Sequence, residues 1–238
     1  MNWSAPQRPV DYAEQALITA ILEGVYPPGT TLPGERDLAV QLGVTRPTLR
    51  EVLRRLERDG WLSVRQGKPT TINHIWHDGG LNVLSAIVRY SQHLPPDFIL
   101  NLLKVRLVLA PAITCAAVER AAEAVVALLA DYGSLAEEPQ AYAAYDWTLQ
   151  RTLTILSGNP IYTLILNGFT GFYETAARLY FEPPESRAVS REFYAGLLDA
   201  ARRSDANAAE QVTRDTMQKS ILLWQAVSDR SSPEEAER

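Results

Sequence analysis

Apolar residues recur at helical spacing along most of this chain and alternate as a strand would in only one short region. Asp11–Glu23 places Ala13, Ala16, Leu17, Ala20 and Ile21 on one stripe, and Gly24 with Tyr26-Pro27-Pro28-Gly29 ends it. A second short helix carries Leu38, Ala39 and Leu42 on one side and stops at Gly43. Thr45 is placed to N-cap a third, whose Leu49, Val52, Leu53 and Leu56 fall at i, i+3, i+4 and i+7 before Gly60 at C′. Trp61–Arg65 and Pro69–Asn73 read as two short strands joined by a tight turn at Gln66-Gly67. Three helices and a hairpin in this order predict a winged helix-turn-helix.

From there the pattern is helical throughout. His74–Gly80 reads as a connection and Leu81–Tyr90 as a linker helix. Pro95-Pro96-Asp97 opens a long apolar segment with Phe98, Ile99, Leu102, Leu103, Val105 and Leu109, which Pro111 should break or kink about midway. Further helices are predicted at 112–131, 138–157, 160–181, 184–203 and 206–228. The fold class is mostly α: a winged helix-turn-helix over 1–76, a linker with a short helix over 77–96, and an all-α bundle over 97–238, with six or seven helices beyond the hairpin.

Composition narrows the class. With 238 residues, 46% hydrophobic and 21% charged, the chain is neither disordered nor fibrous. No run of about 18 uncharged apolar residues predicts a membrane span. The N-terminal residues lack the pattern of a secretory signal, and the single Cys115 cannot form an internal disulfide, so a cytoplasmic location is expected.

The net charge of −5 conceals an asymmetry: residues 1–76 carry nine Lys/Arg against eight Asp/Glu, and 77–238 carry fourteen against twenty. Residues 46–68 alone hold seven basic side chains and three acids. Arg46, Arg50 and Arg54, spaced by four, line one edge of the third helix outside its apolar stripe, as a helix reading base edges and phosphates requires. An enzyme finds no support: there is no nucleophile elbow, no phosphate-cradling glycine loop and few histidines, so no catalytic residue is assigned. The histidines His74, His77 and His93 all precede the bundle core, leaving Asp146 without an imidazole partner, and no metal site is assigned.

Specific motifs then carry a resemblance. Pro27-Pro28-Gly29-Thr30, Leu32-Pro33-Gly34-Glu35-Arg36-Asp37-Leu38-Ala39, Leu42-Gly43-Val44-Thr45-Arg46-Pro47-Thr48-Leu49-Arg50-Glu51, Asp59-Gly60-Trp61-Leu62 and Gln66-Gly67-Lys68 resemble the GntR-type bacterial transcription regulators. The resemblance implies a homodimer on a short palindromic operator in double-stranded DNA. Its DNA-contacting positions fall on Arg36, Thr45, Arg46, Thr48, Arg50, Gln66, Gly67 and Lys68.

The second part resembles the fatty-acid-responsive FadR type of that family. Gly80-Leu81-Asn82-Val83-Leu84, Asn101–Arg106, Ser157–Gly168, Tyr180-Phe181 and Phe193-Tyr194 carry the similarity. It implies a regulator with no cofactor that represses fatty-acid degradation genes, activates unsaturated fatty-acid synthesis genes, and leaves DNA on binding long-chain acyl-coenzyme A. The type's ligand positions fall on Arg106, Tyr194, Ser220 and Trp224; Met217 and Ile221 stand where it has glycines, Gln66 where it has histidine, and Pro47 where it has a second threonine. On residue type alone Arg106 equally suits an internal acid, and Tyr194 and Trp224 suit plain core. The alternatives are a regulator of this family that answers a different small carboxylate, or a bundle that is only a scaffold.

Overall fold

The computed structural model describes residues 8–90, 94–95 and 97–231, and the chain divides into two compact units, 1–94 and 95–238. His93 lies outside the described residues.

In the first unit α1 (Pro9–Leu22), α2 (Glu35–Gln41) and α3 (Arg46–Arg58) precede β1 (Leu62–Ser63) and β2 (Thr71–Ile72), followed by α4 (Ile75–Asp78) and α5 (Asn82–Tyr90). The apolar stripe of α3 is its core face: Leu49, Val52, Leu53 and Leu56 are all buried, together with Leu17 of α1 and Leu38 of α2. Thr45 caps α3, its hydroxyl accepting from the Thr48 N–H at 3.3 Å. Arg55 locks α3 to α1 by pairing with Asp11 and Glu14 as well as with Glu51 one turn away.

The hairpin is shorter than its sequence pattern predicts. β1 and β2 pair antiparallel only through Leu62↔Ile72 and Ser63↔Thr71. The outer edge of β2 is occupied instead by the loop before α2: Thr31 bridges Thr71, the Leu32 N–H donates to the Thr70 carbonyl, and the Ile72 N–H to that of Thr30. Residues 64–70 form an extended tip whose turn is closed by the Lys68 N–H on the Arg65 carbonyl, with Gly67 at φ +72°.

The end of α3 sits directly on the start of the next segment. Gly60 has φ +87°, and a Cβ there would collide with the Asp78 carbonyl. Asn82 donates to the Asp59 carboxylate at 3.2 Å and Asn73 to the Gly60 carbonyl at 3.1 Å. Part of the predicted connection is therefore helical (α4), and α5 packs on α1 within this unit.

The second unit comprises α6 (Phe98–Leu128), a 3₁₀ turn (Tyr132–Ser134), α7 (Pro139–Leu156), α8 (Pro160–Asn167), α9 (Tyr173–Phe181), α10 (Pro184–Arg202) and α11 (Ala206–Ser231). Two sequence expectations are corrected here. The helix does not break at Pro111; it runs through, and its one non-helical residue is Ala121 (φ −150°, ψ 48°). Pro111 forfeits one backbone bond, but it lies on the buried face that packs on α7, α10 and α11, and that packing outweighs the loss. By length and composition α6 could cross a bilayer, yet with its buried face packed on three helices it serves as a core helix.

The predicted single helix over 160–181 is also two. Gly168-Phe169-Thr170-Gly171-Phe172 tightens into 3₁₀-type turns, the Phe169 N–H on Leu166 and the Thr170 N–H on Asn167. Phe169 and Phe172 meet edge to face at 5.5 Å, with Phe172 fully buried.

The close approach of the α3 terminus to Asp78 generates a prediction. Gly60→Ala is expected to destabilise the first unit by about 1–3 kcal/mol from the backbone conformation alone, with the collision adding to it. Thermal unfolding should register this as a drop of several degrees, whereas an unchanged midpoint would show that the joint is not tight.

Candidate functional site

The first candidate surface is the exposed edge of α3 with the hairpin tip. Arg46, Arg50 and Arg54 all point away from the buried stripe, as their spacing predicts. Arg46, Arg54, Arg65 and Lys68 have no side-chain hydrogen bond or ion pair among the described residues. Arg50 Nε donates to Glu35 Oε2 at 2.7 Å, and Arg36 lies 3.5 Å from its neighbour Asp37. Both pairs are exposed, and such pairs contribute about 0–1 kcal/mol, so phosphate or a guanine edge can replace the acid. Thr45 and Thr48 are joined through their hydroxyls at 2.9 Å, so their first duty is to cap the helix. Gln66, Gly67 and Lys68 are exposed at the tip. Of the seven basic residues in 46–68, Arg50, Arg55 and Arg58 are paired with acids of their own domain and the other four are not, a division that spacing alone does not reveal.

The second candidate is a cleft in the helical unit of about 870 Å³, counted out to the solvent at its mouth. Its walls come from α6, α7, α8, the 168–172 turn and α9. On α6 the lining residues Ile99, Leu102, Leu103, Arg106, Leu109 and Ile113 follow a helical stripe that is apolar except for Arg106. Phe169, Phe172, Ala176 and Ala177 complete an apolar surface on the opposite side. Its lining, mostly apolar with a few converging polar side chains, is of the kind that ligand sites have.

Arg106 already has an anion. Its Nη2 lies 3.2 Å from Asp146 Oδ2, and Asp146 is almost wholly buried. Asp146 also accepts from the Tyr173 hydroxyl at 2.6 Å and from Gln150 Nε2 at 3.3 Å. The Arg106 guanidinium lies 5.8 Å from the centre of the Tyr173 ring. Burial works against the charge of Arg106, and the facing Asp146 carboxylate outweighs it, so the guanidinium pKa is raised. Burial likewise pushes the phenols of Tyr173 and Tyr194 well above their usual range, and that of Tyr145 up to about 12. At neutral pH all three remain protonated donors.

The remaining effector positions are not gathered at this cleft. Ser220 is one bond behind it: Tyr180, which lines the cleft, donates to Ser220 Oγ at 2.8 Å, and Ser220 donates to the Thr216 carbonyl. Tyr194 is fully buried against Tyr145 and Tyr132, and its hydroxyl has no partner among the described residues. Met217 is buried in the core and Trp224 half-buried on α11; neither borders the cleft. Sequence reasoning missed Tyr173 and Gln150 as polar members, and placed no site residue on α8 or α9. Nothing in the sequence singles out Asp146, forty residues away, as the acid that Arg106 needs. Among the described residues no three His, Cys, Asp or Glu side chains converge.

Comparison with known proteins agrees with both halves. Residues 9–72 match the family model described as bacterial regulatory proteins, gntR family, and residues 73–234 the FadR C-terminal domain. The chain is 39% identical over 221 residues to the fatty acid metabolism regulator protein of Shewanella halifaxensis, covering 93% of this chain and 92% of the relative. It is 40% identical, at the same coverage, to the protein of that name from Serratia proteamaculans. Among solved structures, Lar, described as controlling the expression of the Listeria monocytogenes agr system, shares the fold with a TM-score of 0.56 at 14% identity, over 95% of this chain and all of that one. The chain belongs to the GntR family of bacterial regulatory proteins and carries that family's FadR-type C-terminal domain.

Proposed function

We propose that the protein is a cytoplasmic DNA-binding transcription regulator of fatty acid metabolism, that it binds a short palindromic operator as a homodimer, and that long-chain acyl-coenzyme A entering the helical unit releases it. The DNA half of this reading is supported by a capped helix whose arginine edge and adjoining hairpin tip are turned outward. The ligand half is carried by one observation: a mostly apolar cleft with Arg106 at its polar cluster, in a domain of the FadR type. An acyl chain suits such walls, since burying each methylene contributes about 0.8 kcal/mol.

Release follows from linkage. A ligand shifts the operator equilibrium only by its different affinity for the DNA-competent and DNA-incompetent states, and the shift is reciprocal.

Arg50→Ala is expected to weaken specific operator binding strongly in a gel shift at fixed salt, because a bidentate guanine interaction is worth about 1–3 kcal/mol and a dimer loses two. Unchanged affinity would remove α3 as the reading helix. Lys68→Ala is expected to weaken specific and random DNA alike and to flatten the salt dependence by about one unit of slope for each phosphate it no longer neutralises. An unaltered slope would place the hairpin tip off the DNA.

A C16–C18 acyl-coenzyme A is expected to give binding heat and to lower operator affinity, with operator DNA lowering acyl-coenzyme A affinity by the same factor. Because Met217 lies in the core and away from the cleft, Met217→Gly should bring no stronger response and should lower the unfolding midpoint, as truncation of a buried methionine costs about 2–5 kcal/mol. Absence of heat and of release would leave a DNA-binding protein whose helical unit is a scaffold.

A further inference from the structure

An acid stands on the same face as the arginine edge of α3. Glu35 is the first residue of α2, and its Oε2 accepts from Arg50 Nε on α3 at 2.7 Å. Side-chain exposure is 62% for Arg50 and 39% for Glu35, so the pair lies at the surface and adds little to stability. The two helices are held without it: Leu38 and Ala39 of α2 and Leu49, Val52 and Leu53 of α3 are buried, and Arg55 ties α3 to α1. An exposed carboxylate is unfavourable beside a polyanion, so Glu35 weakens the attraction of this face for DNA unless it acts through Arg50.

The geometry of the pair gives it such an action. Glu35 takes Nε and leaves Nη1 and Nη2 without a partner among the described residues. Those two nitrogens are a fork that can donate to O6 and N7 of guanine, and both acceptors are uncharged, so a guanine edge can bind while Glu35 stays in place. A phosphate oxygen instead brings a second anion to one guanidinium. It must displace Glu35 or bind beside it against like charge. Arg46 and Arg54, one turn to either side, have no acid partner among the described residues and stay available to phosphate.

We infer that Glu35 is a specificity-determining residue for DNA: by holding Arg50 through Nε, it withholds that arginine from phosphate on random sequence and reserves it for a guanine edge in the operator. Discrimination then comes from weakening the wrong partner as much as from strengthening the right one. This rests on the reading of α3 as the helix that faces DNA.

The probes are a duplex selected from a random-sequence pool by the full wild-type chain and a scrambled duplex of the same length and composition, both titrated by fluorescence anisotropy over a range of salt. Glu35→Gln keeps an oxygen for Nε and removes the charge. It is expected to bind the scrambled duplex about three- to tenfold more tightly at low salt. The salt slope should steepen by about one unit for each arginine that reaches a phosphate. The gain on the selected duplex should be smaller, so the ratio of the two affinities falls. In an Arg50→Ala background the same change should leave that ratio as it was. A carboxylate acting only as a repulsive charge predicts equal tightening on both duplexes, with Arg50 present or absent, and that result overturns the inference. Unchanged affinity and slope on the scrambled duplex overturn it too. If Arg50→Ala itself leaves affinity for the selected duplex unchanged, the reading of α3 falls and the inference with it. Should Glu35→Gln fail to fold, Glu35→Asp, whose carboxylate stands one methylene further back, should lower the ratio in the same direction; an unchanged ratio there overturns the inference.

Discussion

A carboxylate enclosed by apolar helices is tolerated only where donors meet its oxygens, and this requirement organises the helical unit around Asp146. Its three partners come from different places: Arg106 on α6, Gln150 one turn further along α7, and Tyr173 at the start of α9. Removing one partner of a buried ion pair typically costs about 3–5 kcal/mol, because a charge is left without compensation. The network therefore fixes the register of three helices that also wall the cleft. A second polar chain, Tyr180 to Ser220 to the Thr216 carbonyl, attaches α9 to α11 in the same way. Apolar packing alone would hold these helices together but leave them freer to slide.

The DNA-binding unit solves the opposite electrostatic problem. It must stay folded while leaving cations without internal partners. Arg55 is given to three acids on α1 and α3, and Arg58 to Asp59, where they hold the domain together. Among the described residues Arg46, Arg54, Arg65 and Lys68 are left over, on the helix edge and the hairpin tip. A nearly neutral domain thus presents a locally basic face, which is what association with a phosphate backbone depends on.

Where a feature depended on local pattern, the sequence was enough to find it. The Leu49–Leu56 stripe, the Thr45 cap and Gly60 beyond α3 all follow from spacing and backbone preference. What stayed hidden depended on tertiary context. Pro111 signals a break, yet a buried helix face overrides a single missing hydrogen bond. Gly168 and Gly171 looked compatible with one helix, and only the inward packing of Phe169 and Phe172 makes the break worthwhile. The hairpin looked longer because residues 30–32, rather than more of β1, complete the edge of β2. Arg106 was legible as a residue needing an anion, but its partner forty positions away was not. Spacing along a chain says nothing about which helices become neighbours.

The same break that eluded the sequence is what makes a cleft possible. A continuous helix over 160–181 would carry one straight face, and straight faces on neighbouring helices close against each other at ordinary packing density. Splitting it at 168–172 separates α8 from α9 and leaves space that the side chains of α6 do not fill. That space forgoes van der Waals attraction on all its apolar walls, so the ligand-free unit is less well packed than it could be. An apolar chain filling the cleft restores that attraction. In the proposed function, the energy so gained is available only to conformations that hold the cleft open, and such a difference between states is what a ligand needs in order to shift a DNA equilibrium.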